Sequence, residues 1–193
     1  MRIDFASKEH ATPAFRPTLE YPLSPNTPPT LASIHNQTIG AGIMLSITNT
    51  ATDSDIPAQS LTYSLSTAPN GATIDPVSGV LTWRPLVTQA NTVNPFTVRV
   101  TDNGSPALSA SQSFVVTVTN LPQPALGVQV QDGSFALRIE GANGPDYQIQ
   151  ASTNLVDWDV IFSTNAPAMP FFWTDSPSSS PSKFFRVRTG PPF

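Results

Sequence analysis

The chain has 193 residues, enough for one or two domains; only 11% are charged, and the net charge is -4 at pH 7. Its nine Lys and Arg residues form no run, which argues against a nucleic-acid partner, because binding phosphate needs clustered cations. Cysteine is absent, so disulfides and thiolate metal sites are excluded, and no apolar stretch approaches the roughly 20 residues needed to insert a membrane-crossing helix.

The N-terminal MRIDFASKEH has no apolar core segment and carries Asp4, Lys8 and Glu9, so it is not a signal peptide. The expectation is a piece of a longer exported protein. Ile3 and Phe5 alternate with polar residues, as do Leu19 and Tyr21, giving two short strands joined by a Pro-containing loop. Two strands alone are marginal in water and need a partner sheet. FASKEH-ATPAFRPTLEY resembles the closing strands of the DNRLRE-type domain, a β-jelly-roll of secreted bacterial proteins, which implies that most of such a domain is missing here. PLSPNTPPT, residues 22–30, reads as a semi-rigid proline linker.

The 21 prolines disfavour long helices, and the next stretch reads as strands. Ile34 is expected to open a strand running towards Ile39. Ile43-Leu45-Ile47, Leu61-Tyr63-Leu65, Ala72 to Ile74, Val80 to Trp83, Phe96-Val98-Val100 and Phe114-Val116-Val118 follow, punctuated by Asn70-Gly71, Ser78-Gly79 and Asn103-Gly104. About seven short strands at this spacing predict a Greek-key sandwich, with Leu81 and Trp83 on one face and Trp83 as core anchor. The runs NTPPTLASIHNQTIGAG, ATDSDIPAQSLTYSL, APNGATIDPVSGVLTWRP and VRVTDNGSPALSASQSFVVTV resemble the cadherin-like, immunoglobulin-type (dystroglycan-type) repeats of bacterial surface proteins. That resemblance implies a stalk, spacer or adhesive module.

From residue 122 the alternation resumes in Phe135-Leu137-Ile139, Tyr147-Ile149-Ala151, Trp158-Val160-Phe162, Phe171 to Trp173 and Phe185-Val187. Five or six strands in this length predict a small fibronectin-type-III-like sandwich. YQIQASTNLVDWDVI, FFWTD and KFFRVRTGPP resemble the C-terminal β-modules of large secreted proteins from Verrucomicrobia-type bacteria.

The residues offer four chemistries. Asp53-Ser54-Asp55 sits where cadherin-like repeats carry a calcium motif, with Asp102 at the end of a neighbouring strand. Ca²⁺ takes six to eight oxygen ligands. The acidic element that the resemblance implies is replaced by Leu81-Thr82-Trp83-Arg84-Pro85, and the acidic interdomain linker by Asn120-Leu121-Pro122-Gln123-Pro124. Turn formation is the plainer role for these aspartates. Trp158 and Trp173 are candidate carbohydrate platforms, with core packing as the plainer role. Catalysis is not expected. The two histidines, His10 and His35, lie at or near linkers, there is no metalloprotease, nucleophile-elbow or phosphate-loop motif, and Asp157 and Asp159 flank Trp158 on one strand instead of facing each other across a cleft. Finally, the homeless N-terminal strands could add to a neighbouring copy and build a filament.

The sequence therefore predicts an all-β chain: an N-terminal strand segment at 1–25, a cadherin-like Ig-fold domain at 26–121 and a small fibronectin-III-like sandwich at 122–193. The expected role is structural or adhesive at the surface of a bacterium or outside it. The expected partners are other copies or neighbouring surface domains, with no membrane insertion. The alternative is a polysaccharide-binding accessory module, and Ca²⁺ is the one cofactor in view.

Overall fold

A computed structural model describes residues 2–4, 18–20, 25–131, 134–175, 182–191 and 193. Strands β1 (Arg2–Asp4) and β2 (Thr18–Glu20) form an antiparallel hairpin with Ile3 opposite Leu19, and among the described residues it pairs with no other strand. Phe5, Tyr21 and most of the run that resembles the DNRLRE-type domain lie outside the described residues.

The first sandwich comprises β3 (Thr30–Leu31), β4 (Gln37–Gly40), β5 (Leu45–Thr48), β6 (Ala51–Thr52), β7 (Thr62–Thr67), β8 (Thr73–Ile74), β9 (Val80–Trp83), β10 (Thr92–Thr101) and β11 (Ser109–Thr119). One sheet runs β4-β11-β10-β7, the other β5-β9-β8, and β3 pairs with β6. The long β10-β11 ladder sets Phe96 opposite Phe114, so every second residue of both strands faces inward. Phe96, Val98, Val100, Val116 and Val118 are fully buried. Trp83 meets Phe96 edge-on at 5.4 Å, and Phe96 stacks on Phe114 at 5.1 Å. Trp83 and Leu81 come from the same face of β9 and are both buried, as the alternation predicts. Each such large apolar side chain contributes roughly 2–3 kcal/mol by leaving water.

Two expectations are corrected. Ile34 opens no strand: residues 32–36 are irregular and β4 begins at Gln37, running parallel to β11. The side chain of Asn36 holds that irregular stretch in place by accepting the N–H of Val115. The proline linker is not a free spacer either, because Pro29 is buried and Asn26 and Thr27 are hydrogen-bonded to the first sandwich.

Among the described residues the second sandwich has six strands: β12 (Ala125–Gln131), β13 (Ser134–Glu140), β14 (Asp146–Ser152), β15 (Asp159–Thr164), β16 (Phe171–Asp175) and β17 (Phe184–Gly190). Sheet β12-β13-β16 faces sheet β15-β14-β17 across a separate core of Leu137, Ile139, Tyr147 and Ile149. Phe135, Phe162, Phe171, Trp173 and Phe185 pack around it. β14 is central and buried on both faces, so Gln148 and Gln150 are buried together with their apolar neighbours.

Candidate functional site

The three candidate calcium aspartates, Asp53, Asp55 and Asp102, gather at one pole of the first sandwich, linked by Asn26, Thr27 and Gln59, which carry no sequence signature. Asp102 ends up buried after β10, and its carboxylate accepts the N–H groups of Leu108 at 2.9 Å and Gly104 at 3.0 Å. Asn26 Nδ2 donates to both oxygens of that carboxylate at 3.2 Å, and to the carbonyl of Pro106 at 2.8 Å. Burial pushes the Asp102 carboxyl up, but the N–H groups of Leu108 and Gly104 and the Asn26 amide outweigh it and hold the group below the ordinary value of 3.8.

Gln59 completes the arrangement. Its Nε2 donates to Asn26 Oδ1 at 2.5 Å and to Asp55 Oδ2 at 2.9 Å. Thr27 binds Asp55 through its N–H and its hydroxyl, at 2.9 and 2.8 Å. Asp53 Oδ1 accepts the N–H of Asp55 at 2.9 Å, an ordinary Asx turn. A cleft of about 340 Å³, lined by Asn26, Asp55, Pro57 and Gln59, opens beside them. Gly104 makes room for this packing, since a Cβ there would collide with the Asn26 side chain.

Two oxygens of this cluster are buried without a partner among the described residues: Asp53 Oδ2 and Gln59 Oε1. A buried unpaired acceptor is costly, of the order of 1–3 kcal/mol. The donor set is oxygen throughout, which suits a hard cation such as Ca²⁺. Among the described residues, however, no three His, Asp or Glu side chains converge to metal-binding distance. Asp53, Asp55 and Asp102 are brought to one pole, with Asn26, Thr27 and Gln59 standing between them.

The two candidate sugar platforms are separated. Trp173 is half-buried in the second core, 5.7 Å from Phe185. Trp158 lies just ahead of β15 and outside that core. The Arg186 guanidinium sits over its ring at 4.2 Å, close enough for a cation–π contact. Arg186 Nε also donates to Gln150 Oε1 at 2.7 Å, and Gln150 Nε2 donates to Gln148 at 2.8 Å. Trp158 therefore caps a polar ladder on the outer face of β14, and a sugar stacking on that face of the ring would have to displace Arg186.

A third cluster joins the two sandwiches. Arg84, just past β9, points its guanidinium into the second module. Nη1 and Nη2 donate to the two oxygens of Asp146 at 3.0 and 2.8 Å, Nη2 donates to the Gly144 carbonyl at 2.8 Å, and Nε to the Gly42 carbonyl at 2.8 Å. Val87 N–H donates to the Pro191 carbonyl at 2.7 Å. Asp146 also accepts the N–H of Ala166 at 3.0 Å. Arg84 lies within Leu81-Thr82-Trp83-Arg84-Pro85, the run that replaces the expected acidic element, and no local pattern points to its partner.

No curated protein matches the chain. Among solved structures, human CDH23 EC21-23 is 21% identical and aligns with a TM-score of 0.40, covering 51% of this chain and 38% of that one. A nucleoside hydrolase-related hypothetical protein from Saccharophagus degradans, described as associated with carbohydrate metabolism, is 20% identical with a TM-score of 0.38, covering 49% and 26%. Protocadherin gammaB7 EC3-6 is 12% identical with a TM-score of 0.39, covering 82% and 47%. The chain spans less than half the length of each of these structures. Residues 28–119, which hold the first sandwich from just ahead of β3 to the end of β11, match the family model described as the putative Ig domain.

Proposed function

We propose that this chain is a non-catalytic structural module of the extracellular type, holding neighbouring domains or surfaces at a fixed spacing. The observation that carries this reading is the Arg84 joint. One side chain makes four hydrogen bonds, one back to Gly42 of its own sandwich and three into the next. A spacer has to transmit orientation, and a planar guanidinium binding a carboxylate with both prongs fixes angle as well as distance. Small-angle scattering on the wild type and on Arg84→Ala tests it. A single conformation should fit the wild type and fail for the variant. A wild-type profile that already requires a broad ensemble of domain orientations overturns the reading.

A second reading is that Ca²⁺ binds at the pole of the first sandwich. The unpartnered buried oxygens Asp53 Oδ2 and Gln59 Oε1 favour it. Asp53, Asp55 and Asp102 would hold the ion with Asn26 and Gln59, and the ion would supply charge neutralisation and rigidity. Melting with Ca²⁺ and with chelator decides it, because a ligand that binds only the folded state raises the melting temperature. Equal melting temperatures in the two conditions end this reading.

A further inference from the structure

Strand β12 has an apolar row that belongs to the core face yet lies open to solvent. Its ladder with β13 sets Leu126 opposite Ile139, Val128 opposite Leu137 and Val130 opposite Phe135. Residues directly opposite in an antiparallel pair project from the same face of the sheet. Ile139 and Leu137 are 0% and 2% exposed, whereas Leu126, Val128 and Val130 are 43%, 63% and 74% exposed. Burial is lost within one strand spacing, so the opposing sheet covers β13 and stops short of β12. Among the described residues β12 also has a single neighbour in its sheet, which leaves its other edge of backbone N–H and C=O groups without a described partner.

Free edges are usually guarded by charge or proline. The other three edge strands of this module carry charge: Asp159 on β15, Asp175 on β16, Arg186 and Arg188 on β17. β12 reads ALGVQVQ, with no charged residue and no proline. The row is also symmetric about its centre. When two β12 strands run antiparallel with Val128 facing Val128, Leu126 of each falls opposite Val130 of the other, and no like charges meet.

We propose that β12 is a dimerisation edge: β12 of one copy pairs antiparallel with β12 of a second copy about a two-fold axis at Val128, joining two three-stranded sheets into one of six strands and packing the two apolar rows side by side on one face. A second copy suits this edge better than the β1-β2 hairpin does. The hairpin strands are three residues long, against seven in β12, and they contain Arg2, Asp4 and Glu20.

The test is sedimentation of the full chain at high micromolar concentration. The wild type should run at about twice 20.6 kDa, and Val128→Lys, which places two like charges face to face, should run as a monomer with an unchanged circular dichroism spectrum. Because the chain has no cysteine, Val128→Cys should cross-link to a disulfide dimer under mild air oxidation, whereas Gln129→Cys, which the register sets opposite Gly127, should not. Should Val128→Lys fail to fold, the cysteine pair carries the test. A monomeric wild type, equal cross-linking of the two cysteine variants, or a dimer that survives Val128→Lys overturns the proposal. Loss of the dimer in Leu19→Pro, a substitution that interrupts β2, would assign the interface to the hairpin and equally overturn it.

Discussion

Arg84 in the first sandwich and Asp146 in the second form a two-pronged ion pair at 3.0 and 2.8 Å, 62 residues apart in the chain. The pair is largely enclosed, with side chains 23% and 12% exposed. Removing one partner of an enclosed pair strands the other charge and costs about 3 kcal/mol, the lower end of the range for buried pairs, because Arg84 keeps some contact with water. Arg84→Ala should therefore undock the two sandwiches without unfolding the first, and Arg84→Lys should rescue little, since an ammonium cannot serve Asp146, Gly144 and Gly42 together. A double-mutant cycle with Asp146→Ala, read by chemical denaturation, measures the coupling. Additive effects would mean that the pair is not the joint.

Gly42 is the backbone half of the same junction. It has φ of +75°, and a Cβ on it would sit 2.9 Å from the carbonyl oxygen of Gly190 and 3.4 Å from Pro145. Gly42→Ala combines left-handed strain, about 1–2 kcal/mol, with a steric push between the sandwiches. The expected result is a loss of roughly 2 kcal/mol or more, together with a scattering profile shifted like that of Arg84→Ala. A substitution at an exposed position would leave stability within about 0.5 kcal/mol of wild type and the scattering profile unchanged.

The core was legible and the joint was not. Period-two alternation is local, so Phe96-Val98-Val100 and Phe114-Val116-Val118 identify their own buried faces, and Trp83 follows as the largest side chain on such a face. Trp83→Ala should accordingly cost about 3–5 kcal/mol. Trp158 followed the same rule on paper. Its place ahead of β15 takes it out of the core and under Arg186, a contact between residues that no periodicity links. Asn26, Gln59, Arg84 and Asp146 are ordinary polar residues in sequence and acquire roles only through long-range pairing. Ile34 shows the limit from the other side, because an isolated apolar residue carries no period. Asp53, Asp55 and Asp102 were legible as a group, but the amides separating them were not.

Acid should act through Asp102. Its folded-state carboxyl titrates below the ordinary 3.8, held there against burial by the Leu108 and Gly104 N–H groups and Asn26. A lowered folded value means that the stability it contributes is complete above 3.8 and is lost as pH falls through the folded value. Asp102→Asn cannot ionise. It should melt below wild type at neutral pH, and the gap should close as pH falls below 3.8. A gap that stays constant down to pH 2 would show that the charge is not what Asp102 supplies.

Alkali should act on the second sandwich through Tyr147. Its ring is buried in the second core, and its hydroxyl donates to the Ala142 carbonyl at 2.8 Å. Burial disfavours the phenolate and raises the folded value above 10.0, and the bond to Ala142 offsets only part of that rise. With the folded value raised, the contribution is fully present below pH 10 and is lost as pH climbs through the folded value, because the unfolded chain releases its proton first. Tyr147→Phe keeps the ring but forfeits the hydrogen bond, so near neutrality it should cost about 1 kcal/mol. Above pH 10 that gap should narrow, since Phe has no proton to lose. Parallel melting curves for the two proteins across pH 8 to 11 would sink this account.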